Sequence, residues 1–394
     1  MIFNYKQNLL LLLTTFLSLY SCTKDPAVNT DPVATPYTIQ IPKGFPTNLN
    51  IPADNPMTVE GIALGRYLFY DGRLSGRTES DSLMSCYSCH IQSQAFECGT
   101  ANPDFPDGHP HGITGVYTPH YPLPFINLVF NSKGYLWNGL ISESNKNLGN
   151  AAYGIPAQEP YNLRNLESLV WMGIAAKHEM NGHPDKTVAL LKTIPMYPPL
   201  FKAAFGTEEI TYERISKAIA QFLRILISSD SKYDQMMKGS VNFTDSERRG
   251  MVLFTTENGG DCFHCHGTIL FTSNDFYNNA KDTVFNDPRD RYGVTKDPMD
   301  HGAYKATTLR NIELTGPYMH DGRFKTLDEV INFYSEGLIY SQYVHPLMHK
   351  AFPPYGTGAS LNPQQKADLK AFLLTLTDQT FLTNPAFSNP FNTK

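Results

Sequence analysis

The chain has 394 residues, 41% hydrophobic and 18% charged, enough to bury a sizeable core and to form two domains. Its formal charge is −5 with no basic run or patch, which argues against a nucleic-acid partner. Of its six cysteines, four fall into two copies of one short pattern, and that pattern organises the reading of the rest.

In chain order, Lys6 precedes an apolar run, Leu9–Leu13, that continues less purely to Leu19. The run is too short to span a bilayer and reads as an export signal covering residues 1–21. Leu19-Tyr20-Ser21-Cys22 resembles the lipobox of bacterial lipoproteins, with Cys22 acylated after cleavage. Plain secretion, with Cys22 left as a spare thiol, is the alternative. Either reading places the chain in the periplasm or cell envelope, with a lipid at Cys22 as its sole membrane contact in the first. Residues 22–56 are rich in Pro, Asn, Thr and Asp and are expected to form a flexible tether.

A first helix is predicted after residue 56, packing through Ile62, Tyr67, Leu68 and Phe69. It leads to Cys86-Tyr87-Ser88-Cys89-His90. Residues 91–135 form a Gly/Pro/His-rich loop, and 140–165 read as a surface insertion. Helical periodicity returns at Leu166–Ala176, Thr187–Lys192 and Tyr212–Ile227. Thr244-Asp245-Ser246-Glu247 is a capping box that opens a helix toward Cys262-Phe263-His264-Cys265-His266. Thr326–Glu329 is another, and places Leu327, Val330, Ile331 and Tyr334 on one helical face. Alternating strand patterns are scarce, so the fold class is mostly α, with two haem domains and long loops.

The C-x-x-C-H spacing lets two thiols add to the vinyl groups of one haem while the next histidine turns back to ligate its iron. A thioredoxin-like pair needs no histidine directly after it, and a structural zinc wants four close ligands. The chain is thus expected to carry two covalent c-type haems, through Cys86, Cys89 and His90 and through Cys262, Cys265 and His266. Gly65-Arg66-Tyr67-Leu68-Phe69 and Gly250-Met251-Val252-Leu253-Phe254 precede the two motifs with the same G-x-x-L-F pattern. This reads as a duplicated cytochrome c unit, with domains at 57–239 and 240–380 and a tail at 381–394.

Over roughly residues 57–380 the chain resembles the bacterial di-haem cytochrome c peroxidases and the MauG-type di-haem oxidases. The resemblance is carried by the paired haem motifs, Leu64–Asp71, Asn127–Asn131, Trp137-Asn138-Gly139, Glu179-Met180, Leu309-Arg310-Asn311 and Thr315–Gly322. It implies two cytochrome c-like domains, one haem reacting with peroxide and the other handling electrons. By the resemblance His90 is the proximal ligand of the peroxide-reacting haem and His266 that of the electron-transfer haem. Glu179 becomes the acid above the first haem, able to move a proton between peroxide oxygens. Trp137 becomes the indole between the haems. Tyr334, seventeen residues after Pro317, becomes the distal ligand of the second haem, where peroxidases carry Met and the MauG branch carries Tyr.

Backbone carbonyls of Thr315 and Pro317 are the implied ligands of a calcium ion. The asparagine that completes that site in the family falls on Tyr121, a poor ligand, so calcium stays open. A distal histidine on the first haem, at His109 or His111, stays open as well. Cys98 is left as an inert thiol. The functions implied are reduction of hydrogen peroxide with electrons from a small cytochrome c or cupredoxin, or MauG-like oxidation of a protein or organic substrate by high-valent iron. A pure electron-transfer cytochrome is a third possibility. The sequence leaves monomer or dimer undecided. Pyridine haemochrome titration is expected to count two covalent haems per chain, and haem that acidified solvent extracts would overturn this.

Overall fold

The computed structural model describes residues 34–392 apart from 79–82, 101, 107, 143–162 and 353–355. The lipidation candidate Cys22 and most of the expected insertion lie outside the described residues. Helices dominate and are joined by long connections. A single two-stranded antiparallel sheet stands among the described residues, β1 (Phe276–Tyr277) paired with β2 (Tyr304–Lys305). No described helix is long and apolar enough to cross a membrane.

The duplicated G-x-x-L-F pattern has a steric cause. Helix α1 (Val59–Tyr70) starts at Thr58, whose side chain accepts from Gly61 N, and crosses α5 (Tyr212–Arg224) closely. A Cβ on Gly65 would stand 1.9 Å from the Ala218 carbonyl oxygen, so only glycine admits this crossing. In the second half, α7 (Asp245–Thr255) begins with the expected Thr244–Glu247 capping box and crosses α11 (Pro363–Leu374). There a Cβ on Gly250 would stand 2.0 Å from the Asp368 carbonyl oxygen. The phenylalanine four residues after each glycine, Phe69 and Phe254, is buried beside the crossing. Each such ring stabilises the fold by about 1.5–3 kcal/mol through removal from water.

Two apolar clusters follow from these pairs. The first gathers α1, α2 (Asn165–Ala175) and α5, with side chains from α3 (Pro184–Thr193) and α4 (Tyr197–Phe205). The second gathers α7, α11 and α10 (Leu327–Glu336). Helix α4 lacked a sequence signal because its first turn is Tyr197-Pro198-Pro199. Proline is tolerated there because the first N–H groups of a helix have no partner.

The expected boundaries shift in three places. Residues 34–56, expected to belong to the tether, pack down instead, with Ile39, Phe45 and Met57 in one cluster with Val129, Phe130 and Leu270. The pairing of Pro36 with Thr58 holds this segment along the start of α1. Helix α6 (Lys232–Met237), placed by sequence at the end of the first domain, packs on the second cluster through Tyr233 and Met236. The expected tail returns to the first cluster, burying Phe381, Leu382 and Phe387, and the Tyr70 hydroxyl donates to the Phe387 carbonyl at 2.6 Å. Short-range polarity had suggested loose ends, whereas scattered aromatic residues with distant partners anchor them.

The Leu309-Arg310-Asn311 landmark is explained here. Arg310 is fully buried and grips both carboxylate oxygens of Asp234 at 2.8 Å. Asn311 donates to Ser228 Oγ, and Asp378 Oδ2 accepts from Ser228 Oγ and from Ser229 N and Asp230 N. The crossover between halves is thus fastened from the second half. Arg310→Met would strand the Asp234 carboxylate without its partner. Chemical denaturation is expected to show a loss of about 3–5 kcal/mol, as for one partner removed from a buried pair.

Candidate functional site

The first motif leaves a short 3-10 turn at Cys86–Ser88, so that both thiols and His90 line one cavity. This cavity encloses about 1590 Å³ free of protein atoms, its open mouth included. The His90 imidazole Nδ1–H donates to the Phe96 carbonyl at 2.8 Å, so Nε2 is the nitrogen that would ligate a haem iron. Ala95 and Phe96 reach that geometry in the left-handed region, at φ 56° and 57°. Phe125 stacks on the His90 ring at 3.7 Å.

The second motif lies on α8 (Phe263–His266), and His266 Nδ1–H donates to the Thr307 carbonyl at 3.1 Å. Burial lowers both imidazoles to about 4, so each is neutral, as an iron ligand must be. None of the five described cysteines forms a disulfide. Unbridged thiol pairs, oriented imidazoles and a large apolar-walled cavity fit covalent haem. Lys305 also lines the first cavity, buried and pairing with no carboxylate among the described residues. A haem brings two carboxylates that such an ammonium suits.

Glu179 lines the same cavity as His90. It sits in a tight turn after α2, where Glu179 N donates to Ala176 O and Gly182 N to Ile174 O. A Cβ on Gly173 would stand 3.0 Å from Glu179 Oε2, so this glycine leaves the carboxyl its place. Burial pushes the Glu179 carboxyl up to about 7. His178 lies 3.8 Å away and burial lowers it to about 4, so its neutral ring offers the carboxylate no charge. Of the two histidines left open as distal candidates, neither His109 nor His111 lines the cavity. Their rings engage Thr118 O and Gly112 O and lie edge-on to Tyr117.

Trp137 also lines the first cavity, and its indole N–H donates to Tyr121 O at 2.8 Å. Its own carbonyl accepts from Lys305 N at 2.7 Å, so the residue joins the two halves. Tyr334, on α10, receives a hydrogen bond from Asn279 Nδ2 at 3.0 Å, and the same amide points at Met319 Sδ at 3.7 Å. Burial pushes the phenol well up, opposed by the Asn279 hydrogen bond, and thiolates at Cys265 and Cys262 would push it further.

The position expected to complete a calcium shell is filled by an aromatic ring. A Cβ on Gly322 would meet the Tyr121 ring at 3.1 Å and Pro317 at 3.2 Å, while the Tyr121 hydroxyl faces Gly99 O at 3.4 Å. Beside Thr315 and Pro317 this ring offers no side-chain amide, so the residues do not fit calcium of the family's kind. Sequence reasoning missed Lys305 and Asn279, which act on partners far along the chain, and Gly173, which acts only through the turn that brings Glu179 back over it.

Two haem-attachment sequences on a duplicated helical fold, one opening onto a cavity with a single acid, define a di-haem c-type cytochrome built as an enzyme. The comparisons agree. Residues 59–242 match the family model described as di-haem cytochrome c peroxidase. The methylamine utilization protein MauG of Methylorubrum extorquens is 30% identical over 333 residues, covering 84% of this chain and 82% of that protein. The cytochrome c551 peroxidase of Nitrosomonas europaea is 32% identical, covering 71% of this chain and 74% of its own length. A crystal structure of a MauG-like protein associated with microbial copper homeostasis superposes with a TM-score of 0.71 at 30% identity, covering 90% of this chain and 99% of that one. The diheme peroxidase BthA from Burkholderia thailandensis shares the fold at 19% identity and a TM-score of 0.63. The chain belongs to the di-haem cytochrome c peroxidase and MauG family and is an enzyme carrying two c-type haems.

With its carboxyl near 7, Glu179 is ionised and able to accept a proton above that pH and protonated below it. The second-order rate with peroxide is expected to fall about tenfold per pH unit below pH 7 and to level above it. Glu179→Gln is expected to abolish this titration and to slow the reaction by about two to four decades at unchanged haem content. A wild-type stopped-flow profile flat from pH 5 to 9 would remove Glu179 from the proton transfer.

Proposed function

We propose that this chain reduces hydrogen peroxide to two waters at the His90 site, with two protons and two electrons. The electrons enter through the His266 site from a small cytochrome c or cupredoxin. The single observation that carries the reading is Glu179, raised toward neutrality in the cavity that also holds His90 and the first thiol pair. Bound haem supplies an iron that peroxide can reach and one-electron redox chemistry. Glu179 takes a proton from the incoming peroxide and returns it to the departing oxygen. Apolar walls from Leu169, Val170 and Met172 keep bulk water from competing for that proton. Trp137 lines the first cavity and is hydrogen-bonded to Tyr121 of the first half and Lys305 of the second, which supports it as the relay for an electron between the two sites.

One observation favours the second reading, a MauG-like oxidase acting on a protein or organic substrate. Tyr334, on α10, lies within electrostatic reach of Cys262 and Cys265 of the second haem motif, which supports it as that haem's distal ligand. As a tyrosinate ligand it would favour the ferric state and lower that haem's potential, whereas a thioether raises it. Met319 is the competing donor, since it shares Asn279 with Tyr334.

Ferric spectra and redox titration of Tyr334→Met and Tyr334→Phe discriminate between these readings. With Tyr334 as ligand, both changes alter the second haem's spectrum and Tyr334→Met raises its potential. Wild type then reacts with peroxide without prior reduction. Unchanged spectra in both variants would exclude Tyr334 as the ligand.

A further inference from the structure

We propose that His120, Asp287 and His320 form a binding site for one divalent first-row transition ion of the zinc class. One ligand atom from each residue lies within 4.8 Å of the others, with no ion present. His120 Nε2 and Asp287 Oδ2 are already 2.8 Å apart. Two ligands bonded to a tetrahedral zinc at about 2.0–2.1 Å stand roughly 3.3 Å from each other, so a small parting of this pair admits the ion.

A simple histidine–aspartate hydrogen bond would account for two of the three residues. It leaves His320 unexplained. That half-buried ring has no hydrogen bond to either nitrogen among the described residues. It is nevertheless held in place, stacked on Tyr304 at 3.6 Å and 14°. An oriented, unpartnered imidazole 5.1 Å from the His120 ring is arranged as a ligand is.

The surroundings support the same reading. Asp287 Oδ1 accepts from Arg289 Nε at 2.7 Å and from Arg289 N at 3.0 Å, which fixes the carboxylate and leaves Oδ2 for the ion. The nearby cations Lys281 and Arg323 are matched by Asp282 and Asp321, so their charge is largely spent there. A polar pocket bordered by Asp287, His320 and Asn278 provides an entry path. Two imidazoles and one carboxylate suit zinc and its neighbours, whereas calcium takes an all-oxygen shell. Three protein ligands leave a fourth position for water. His120 comes from the first half and the other two from the second, so the ion would clamp the halves together 6.3 Å from Trp137, measured from the His320 ring.

The test uses the full haem-loaded protein, equilibrated with zinc chloride and freed of excess by gel filtration. Elemental analysis is expected to give one zinc per two irons in wild type, and less than a tenth of that in His320→Ala and Asp287→Asn. Equal haem content in all three verifies the fold. Wild type without zinc, or zinc retained in full by both variants, would overturn the proposal. A third measurement needs no variant: zinc is expected to protect His120 and His320 of wild type from diethyl pyrocarbonate, read by peptide mass spectrometry. Undiminished modification of both would also overturn it.

Discussion

One short extended stretch, Tyr304 to Thr307, ties the two haem sites to each other. Lys305 N holds the Trp137 carbonyl, and the Lys305 side chain enters the first cavity. Two residues on, the Thr307 carbonyl orients the His266 imidazole of the second C-x-x-C-H motif. One residue back, the Tyr304 ring stacks on His320. Because side chains alternate along a strand, a slip of one residue would withdraw Lys305 from the first cavity and the Thr307 carbonyl from His266 together. The pairing of β2 with β1 and the bond to Trp137 prevent that slip. Spacing between the two sites is therefore set by backbone hydrogen bonds, which tolerate little adjustment.

Around this strap the halves are built alike but finished differently. Both begin with a glycine-notched helix crossing that sends the chain into a haem motif, and both orient the ligating imidazole by a backbone carbonyl. The first half then leaves its cavity open, with Glu179 as the one acid among its described lining residues and His178 beside it. In the second half Tyr334 and Met319 share the Asn279 amide, within electrostatic reach of Cys262 and Cys265. Such asymmetry is what the proposed division of labour between the two haems would use. Gly173 leaves room for the Glu179 carboxyl, which burial holds near neutrality. The proposed proton transfer would draw on both protonation states of that carboxyl.

Between the two halves, the Tyr121 ring stands where the resemblance implies an amide ligand of calcium, and a side chain at Gly322 would meet both this ring and Pro317. One residue earlier, His120 turns toward Asp287 and His320. A cation held by His120, Asp287 and His320, as proposed, would join a residue of the first half to two of the second.

Covalent chemistry and local periodicity were legible in the sequence alone. Cys86, Cys89 and His90, like their second-half counterparts, lie within five residues, so the expectation of covalent haem rests on spacing alone, before any folding. Helices α1, α5, α7 and α10 announced themselves by caps and a 3.6-residue period, which depend on neighbours within one turn. Tertiary structure alone decided the rest. The His90 and His266 imidazoles are aimed by carbonyls of residues 96 and 307, the latter 41 residues away. Gly173 matters only because Glu179 folds back over it, and the aromatic residues at 381–387 matter only because the first core has room for them. His120, Asp287 and His320 are 167 and 33 residues apart in the chain, and no pattern in the sequence unites them. Their convergence comes from the packing of one half on the other, which long-range contacts decide and local spacing cannot encode.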